Sequence, residues 1–98
     1  MNKRVLVVVP AWNEQSSIVK VIRELKAHDF DVLVVDDGST DNTYSVSRLA
    51  GAITLRLPFN LGVGAALRCG FKYAVRHGYE AVVQCDAVLV YPRLIGLL

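Results

Sequence analysis

The sequence predicts an α/β fold with a mainly parallel sheet, and three observations carry that expectation. Two continuous apolar, β-branched runs, Arg4 to Val9 and Asp31 to Val35, have the composition of strands buried on both faces. Between them Ile18, Val21, Ile22 and Leu25 recur at helical spacing, with Lys20, Arg23, Glu24 and Lys26 on the opposite side. Strand and helix patterns then keep alternating through short polar loops, which calls for right-handed crossovers between parallel strands.

The remaining elements follow in order. Asp41 is a good N-cap for a second helix that carries Val46, Leu49 and Ala50 inward and stops at Gly51. A third strand is expected over Ala52 to Leu57. From Gly62 to His77 the positions Val63, Ala66, Leu67, Gly70, Phe71, Ala74 and Val75 form a helical stripe that Gly78 closes. Ala81 to Cys85 is the fourth strand, and Pro92 reads as the opening of another helix. No internal repeat, low-complexity segment or linker interrupts the pattern, so residues 1–98 form at most one domain.

Composition removes several function classes. An apolar fraction of 53% with 20% charged residues belongs to a folded chain, not a disordered one. Eleven Lys and Arg residues are interspersed with nine acids for a formal charge of +2, so the chain lacks the strong basic excess of a nucleic-acid reader. Cys69 and Cys85 stand sixteen positions apart and His28 and His77 supply no neighbouring ligand pair, which excludes the usual zinc spacings. Both thiols read as buried and reduced, the pattern of an intracellular protein, and a cytoplasmic location is expected. The basic start at Met1 to Arg4 lacks a signal-peptide cleavage pattern, and no stretch reaches the roughly 20 apolar residues of a membrane span.

Ligands of open α/β sheets bind at the carboxyl ends of the strands. Four polar segments close the strands here: Pro10-Ala11-Trp12-Asn13-Glu14, Asp36-Asp37-Gly38-Ser39-Thr40-Asp41, Asn60-Leu61-Gly62-Val63-Gly64, and Asp86-Ala87. Three carry carboxylates. A carboxylate can accept the N–H groups on the edge of uracil or guanine, and it can ligate a hard divalent cation that neutralises a diphosphate. Three of the segments also have a plain structural use. The Asp36 to Ser39 cluster fits a turn with a helix cap, Asn60 to Gly64 fits a tight turn into a helix, and Trp12 could cover the sheet edge. The glycines at 62 and 64 do not make a dinucleotide fingerprint, since the third glycine and the position after the first strand are both missing.

Taken together and in order, Val8 to Glu14, Val34 to Thr43, Asn60 to Gly64 and Asp86-Ala87 resemble the family 2 glycosyltransferases, with the branch of dolichyl-phosphate mannosyltransferase and polyprenyl-phosphate glycosyltransferases the most similar. The resemblance covers nearly the whole chain. It implies the GT-A fold, a Rossmann-like nucleotide-binding α/β sandwich, here truncated to its N-terminal nucleotide-binding part over 1–98. By position it places Pro10, Trp12 and Glu14 around the nucleotide, Val35 and Asp37 beside the base, and Asp86 and Ala87 beside the ribose and diphosphate. The donor it implies is a UDP- or GDP-sugar, the acceptor of the intact family includes a polyprenyl or dolichyl phosphate, and the cofactor is Mg²⁺ or Mn²⁺. An intact enzyme of this kind would work from the cytoplasm at the membrane surface.

Two departures qualify what the resemblance implies. The family usually reads Asp-x-Asp where this chain reads Asp86-Ala87-Val88, so Asp86 is left as a weak metal ligand and Val88 stands in place of the second. Relatives also continue well beyond Leu98 into a part that holds the acceptor site and general base, so no catalytic residue is assigned. The expectation is therefore donor binding without full catalysis, with self-association through Leu89, Val90, Leu94, Ile95, Leu97 and Leu98, for which the sequence supplies little cover. The alternatives are a receiver-like or other nucleotide-binding signalling module and an inactive remnant. In a receiver-like domain the acidic pair would follow the first strand, whereas here it follows the second.

Overall fold

The computed structural model describes residues 4–87 with their side chains and the backbone of 93–97. Valine and leucine runs, stiff at χ1 and favourable on a pleated surface, form β1 (Val5–Ala11) and β2 (Asp31–Asp36). The shorter β3 (Ile53–Arg56) and β4 (Ala81–Gln84) follow, and the helices between them are α1 (Ile18–Ala27), α2 (Thr43–Leu49) and α3 (Val63–Arg76). A last strand, β5 (Arg93–Leu97), pairs antiparallel with β4. The sheet order is β3-β2-β1-β4-β5, with β1 to β4 mutually parallel.

Side-chain alternation along β1 divides the core into two. Val7, Val9 and Ala11 face α1, where Ile18, Val21, Ile22 and Leu25 meet them. Leu6 and Val8 face the other way with Leu33 and Val35, against Ala66 and Ala74 of α3. Helices thus cover both faces, which is why the β1 and β2 sequences are apolar throughout instead of alternating. Gly70 allows the closest approach. A Cβ there would lie 2.6 Å from Val8 Cγ1, so α3 rests on β1 at a distance only glycine permits.

The structure corrects four expectations. Residues 93–97 form a strand and not a helix, because β4 would otherwise present an edge of unpaired N–H and C=O groups that an antiparallel neighbour satisfies. The side chains named for self-association lie outside the described ones. Leu49 is 88% exposed: the inward stripe of α2 runs through Thr43, Val46, Ser47 and Ala50, leaving position 49 outside it. Val63 and Val75 of α3 also face solvent, since the contact with the sheet is made by the small-residue stripe Ala66, Gly70 and Ala74. Cys69 is half-buried, whereas Cys85 is buried as expected.

Candidate functional site

The chain starts at β1 near the sheet centre, steps outward to β3, then crosses back over the other face to place β4 on the opposite side of β1. The crossovers therefore diverge between β1 and β4, and loops that leave these strands must part and open a crevice at their carboxyl ends. A cleft of about 250 Å³ is found there, lined by Pro10, Ala11, Trp12, Glu14, Asp37, Val63, Gln84, Asp86 and Ala87. Six of the seven residues expected at a nucleotide site thus share one cavity. Val35 is the exception. It is fully buried in the core on the α3 side, because alternation along β2 turns it into the sheet interior.

The adjacent acids of the second segment have separate tasks. Asp36 is fully buried; its carboxylate accepts the Ser39 N–H at 3.0 Å and approaches Arg56 Nε at 3.4 Å. It closes the turn. Asp37 is 5% exposed and accepts the N–H groups of Leu61 at 2.8 Å and Gly62 at 2.9 Å, one on each oxygen. A carboxylate has about four lone-pair sites, so Asp37 fastens the 60–62 loop and still keeps acceptor capacity at the cleft it lines.

The loop carrying Trp12 and Glu14 is clamped to the loop after β2 by side-chain pairings that the sequence did not reveal. Asn13 sits in left-handed backbone (φ 51°), which asparagine tolerates. Its N–H donates to Ser39 Oγ at 2.9 Å, while its Oδ1 accepts the Thr40 N–H at 2.8 Å. The Glu14 N–H donates to Thr43 Oγ1, the Gln15 N–H to Asp41, and the Asn42 N–H to Gln15 Oε1. The signal was in the polar composition of both loops, but the pairing joins residues some 27 positions apart, beyond the reach of local patterns. Gln84 was also missed. Its position two residues before Asp86, at the end of β4, is the period of one strand face.

Asp41 anchors this clamp. The Thr43 hydroxyl, and then the N–H groups of Thr43 and Gln15, hold its carboxyl below the ordinary value of 3.8. The N-cap of α2 is therefore Asn42 and not Asp41 as expected, and Asp41 binds the first helical N–H, that of Thr43, from one position further out. Because the folded value is depressed, its contribution to stability is complete above the ordinary value and is lost as pH falls through the lower folded one. Amide resonances of Gln15 and Thr43 should therefore move together on acidification below pH 3.8. In Asp41→Asn that joint transition should vanish; its persistence would assign it to another acid.

The donors at the cleft are hard oxygens, the kind that suit Mg²⁺ or Mn²⁺. Asp37 is engaged by two N–H groups, and Glu14 Oε2 accepts the Ser17 hydroxyl at 3.0 Å, whereas Asp86 is exposed. Among the described residues no three His, Cys, Asp or Glu side chains are grouped to hold a metal. A magnesium-type ion that keeps its waters and a diphosphate needs only one or two protein carboxylates, so the site fits such an ion through Asp86. Val88 lies outside the described residues.

The profile of glycosyl transferase family 2 matches residues 6–92. The chain belongs to glycosyltransferase family 2. It is 31% identical to the UDP-N-acetylglucosamine–dolichyl-phosphate N-acetylglucosaminyltransferase of Methanococcus voltae, over 88% of this chain and 41% of that protein. To the polyprenol monophosphomannose synthase of Mycolicibacterium smegmatis it is 32% identical, over 87% of this chain and 35% of that one. Among solved structures it resembles glucosyl-3-phosphoglycerate synthase from Mycobacterium tuberculosis, in complex with Mn²⁺, UDP-glucose and phosphoglyceric acid. That TM-score is 0.71 at 29% identity, covering 88% of this chain and 33% of the synthase. The fold of this glycosyltransferase chain is therefore GT-A, and the chain spans about two fifths or less of the proteins it matches. The receiver-like alternative falls with that assignment. Among the described residues no helix is long and apolar enough to cross a membrane.

Proposed function

We propose that residues 1–98 are the nucleotide-binding part of a nucleotide-sugar-dependent transferase, and that the cleft between the β1 and β4 loops holds the nucleoside diphosphate of a UDP- or GDP-sugar. One observation carries this: Pro10, Trp12, Glu14, Asp37, Asp86 and Ala87 line a single cavity at the point where the crossovers diverge. Trp12 and Pro10 offer apolar surface to a base, and Asp37 and Glu14 offer acceptors for its N–H groups. A divalent ion bound at Asp86 would neutralise the diphosphate and favour its departure. The residues themselves orient the donor and exclude water from one side of it. A lipid-phosphate acceptor, already ionised, would need little help from a base, in keeping with the dolichyl- and polyprenol-linked relatives. We place the intact enzyme in the cytoplasm at the membrane surface and expect this chain alone to bind donor without completing transfer.

Trp12 provides the test. It is the only tryptophan of the chain, it lines the cleft, and it is 49% exposed. Titration with UDP and with GDP in the presence of Mn²⁺ should give a saturable change in its emission for one of them, weakened by Glu14→Gln. An unchanged spectrum together with no heat of binding for either nucleotide would refute donor binding by this cleft.

A further inference from the structure

The mixing of cations and acids expected from the sequence fails over one stretch. No acid occurs between Asp41 and Glu80, whereas Arg48, Arg56, Arg68, Lys72 and Arg76 all do. Two of these cations are engaged: Arg56 lies by Asp36 and over the Tyr44 ring at 4.3 Å, and Arg48 lies 5.8 Å from the same ring. The other three stand at four-residue steps on α3, exposed, and none forms an ion pair among the described residues. Apolar side chains accompany them. Val75 is 64% exposed beside half-buried Phe71, and Lys72 and Arg76 form the ridge between two shallow grooves. One groove, of about 280 Å³, has Leu55, Cys69 and Tyr73 in its walls; the other has Phe71 and Val75.

The outer face of a helix that carries a cation stripe and no acid, beside exposed Val75 and half-buried Phe71, is the charge complement of an anionic lipid surface. Three cations spread along about 12 Å of helix reach too far for one small anion, and each adds attraction to an anionic membrane surface. We propose that the outer face of α3, through Arg68, Lys72, Arg76, Phe71 and Val75, docks on an anionic lipid bilayer. The helix begins at Val63, which lines the nucleotide cleft, so docking along α3 holds the cleft beside the bilayer without covering it. The surface exists whether or not the cleft binds nucleotide.

The test is flotation of the 98-residue chain, without nucleotide, with vesicles of phosphatidylcholine plus phosphatidylglycerol and with vesicles of phosphatidylcholine alone. Binding is expected to the first and not the second, and should collapse as about 1 M salt shortens the Debye length to about 3 Å. Lys72→Glu/Arg76→Glu should lose at least about 25-fold in affinity, about fivefold for each cation removed. Lys20→Glu/Arg23→Glu on α1, with the same change in net charge, should lose far less, and Val75→Ser should weaken binding without altering the salt dependence. Equal loss in the two charge-reversed proteins would overturn the proposal in favour of a net-charge effect. Equal binding to both vesicle types, no binding to either, or complete displacement by inorganic phosphate or duplex DNA would also overturn it. A thermal melt of each variant separates loss of the surface from loss of fold.

Discussion

Gly38→Val is expected to destabilise the fold by about 3–5 kcal/mol, combining the strain of a β-branched residue in left-handed backbone with a steric clash. Gly38 has φ +72°, and a Cβ there would lie 2.3 Å from the Phe59 carbonyl carbon and 2.5 Å from the Asn60 nitrogen. These atoms belong to backbone, so no side-chain rotation relieves the contact. The 59–62 segment would have to retreat, taking it away from the two bonds that Asp37 accepts. Each kcal/mol lowers the melting temperature of a domain this size by roughly 4–8 °C, so thermal unfolding followed by circular dichroism should show a fall of well over 10 °C. Gly64 is the control. Nothing lies within 4 Å of its Cβ direction and it sits in the first turn of α3, so Gly64→Ala should be neutral or gain up to about 1 kcal/mol. A melt for Gly38→Val within 3 °C of that control, by the scale of roughly 4–8 °C per kcal/mol, would mean the close approach of the two loops is wrong.

Asp37→Ala should be nearly as damaging, and its damage should divide between stability and binding. Hydrogen bonds to a charged group contribute about 1.5–3 kcal/mol each, and the alanine leaves the Leu61 N–H without its acceptor and the Gly62 N–H with only Asn60 Oδ1 at 3.2 Å. Partial access to water tempers the total to about 3 kcal/mol, measurable by urea denaturation. Asp37→Asn retains one oxygen and should recover about half of it. Binding separates scaffold from contact. If Asp37 also meets the base, the asparagine variant, once folded, should still lose at least about tenfold in nucleotide affinity read from Trp12 emission, the factor of about 1.4 kcal/mol. Wild-type affinity in the folded asparagine variant would leave Asp37 as a fastener for the 60–62 loop and nothing more.

Much of the candidate site was legible because strand ends are legible. An apolar run buried on both faces stops where polar residues start, and in an open α/β sheet that boundary is also the ligand rim. Pro10, Trp12, Glu14, Asp37, Asp86 and Ala87 were found on that ground and through the family resemblance, and they do line one cleft. Val35 was carried over by the same resemblance and is in the core, since a position in a motif says nothing of which side of the strand it faces. The clamp of Asn13, Ser39, Thr40, Asp41 and Thr43 escaped notice because each of these residues has an adequate local use as a turn former or cap.

The sequence by itself determined the number and kind of the first seven elements, the helix face that α1 buries and the places where the strands end. Hydrophobic period and turn chemistry are properties of neighbouring residues, so they need no knowledge of the rest of the chain. Strand order was decided only in three dimensions. An apolar run pairs equally well with any parallel neighbour, and it is the return of β4 to the free side of β1 that brings Asp86 to Trp12 and opens the cleft. The same holds for β5, where a proline-led helix signal yielded to the unpaired edge of β4, and for Asp36 and Asp37, alike in sequence. Burial beside the Arg56 side chain and the local Ser39 N–H gave one acid to the turn, and the backbone N–H groups of the distant 60–62 loop gave the other to the cleft.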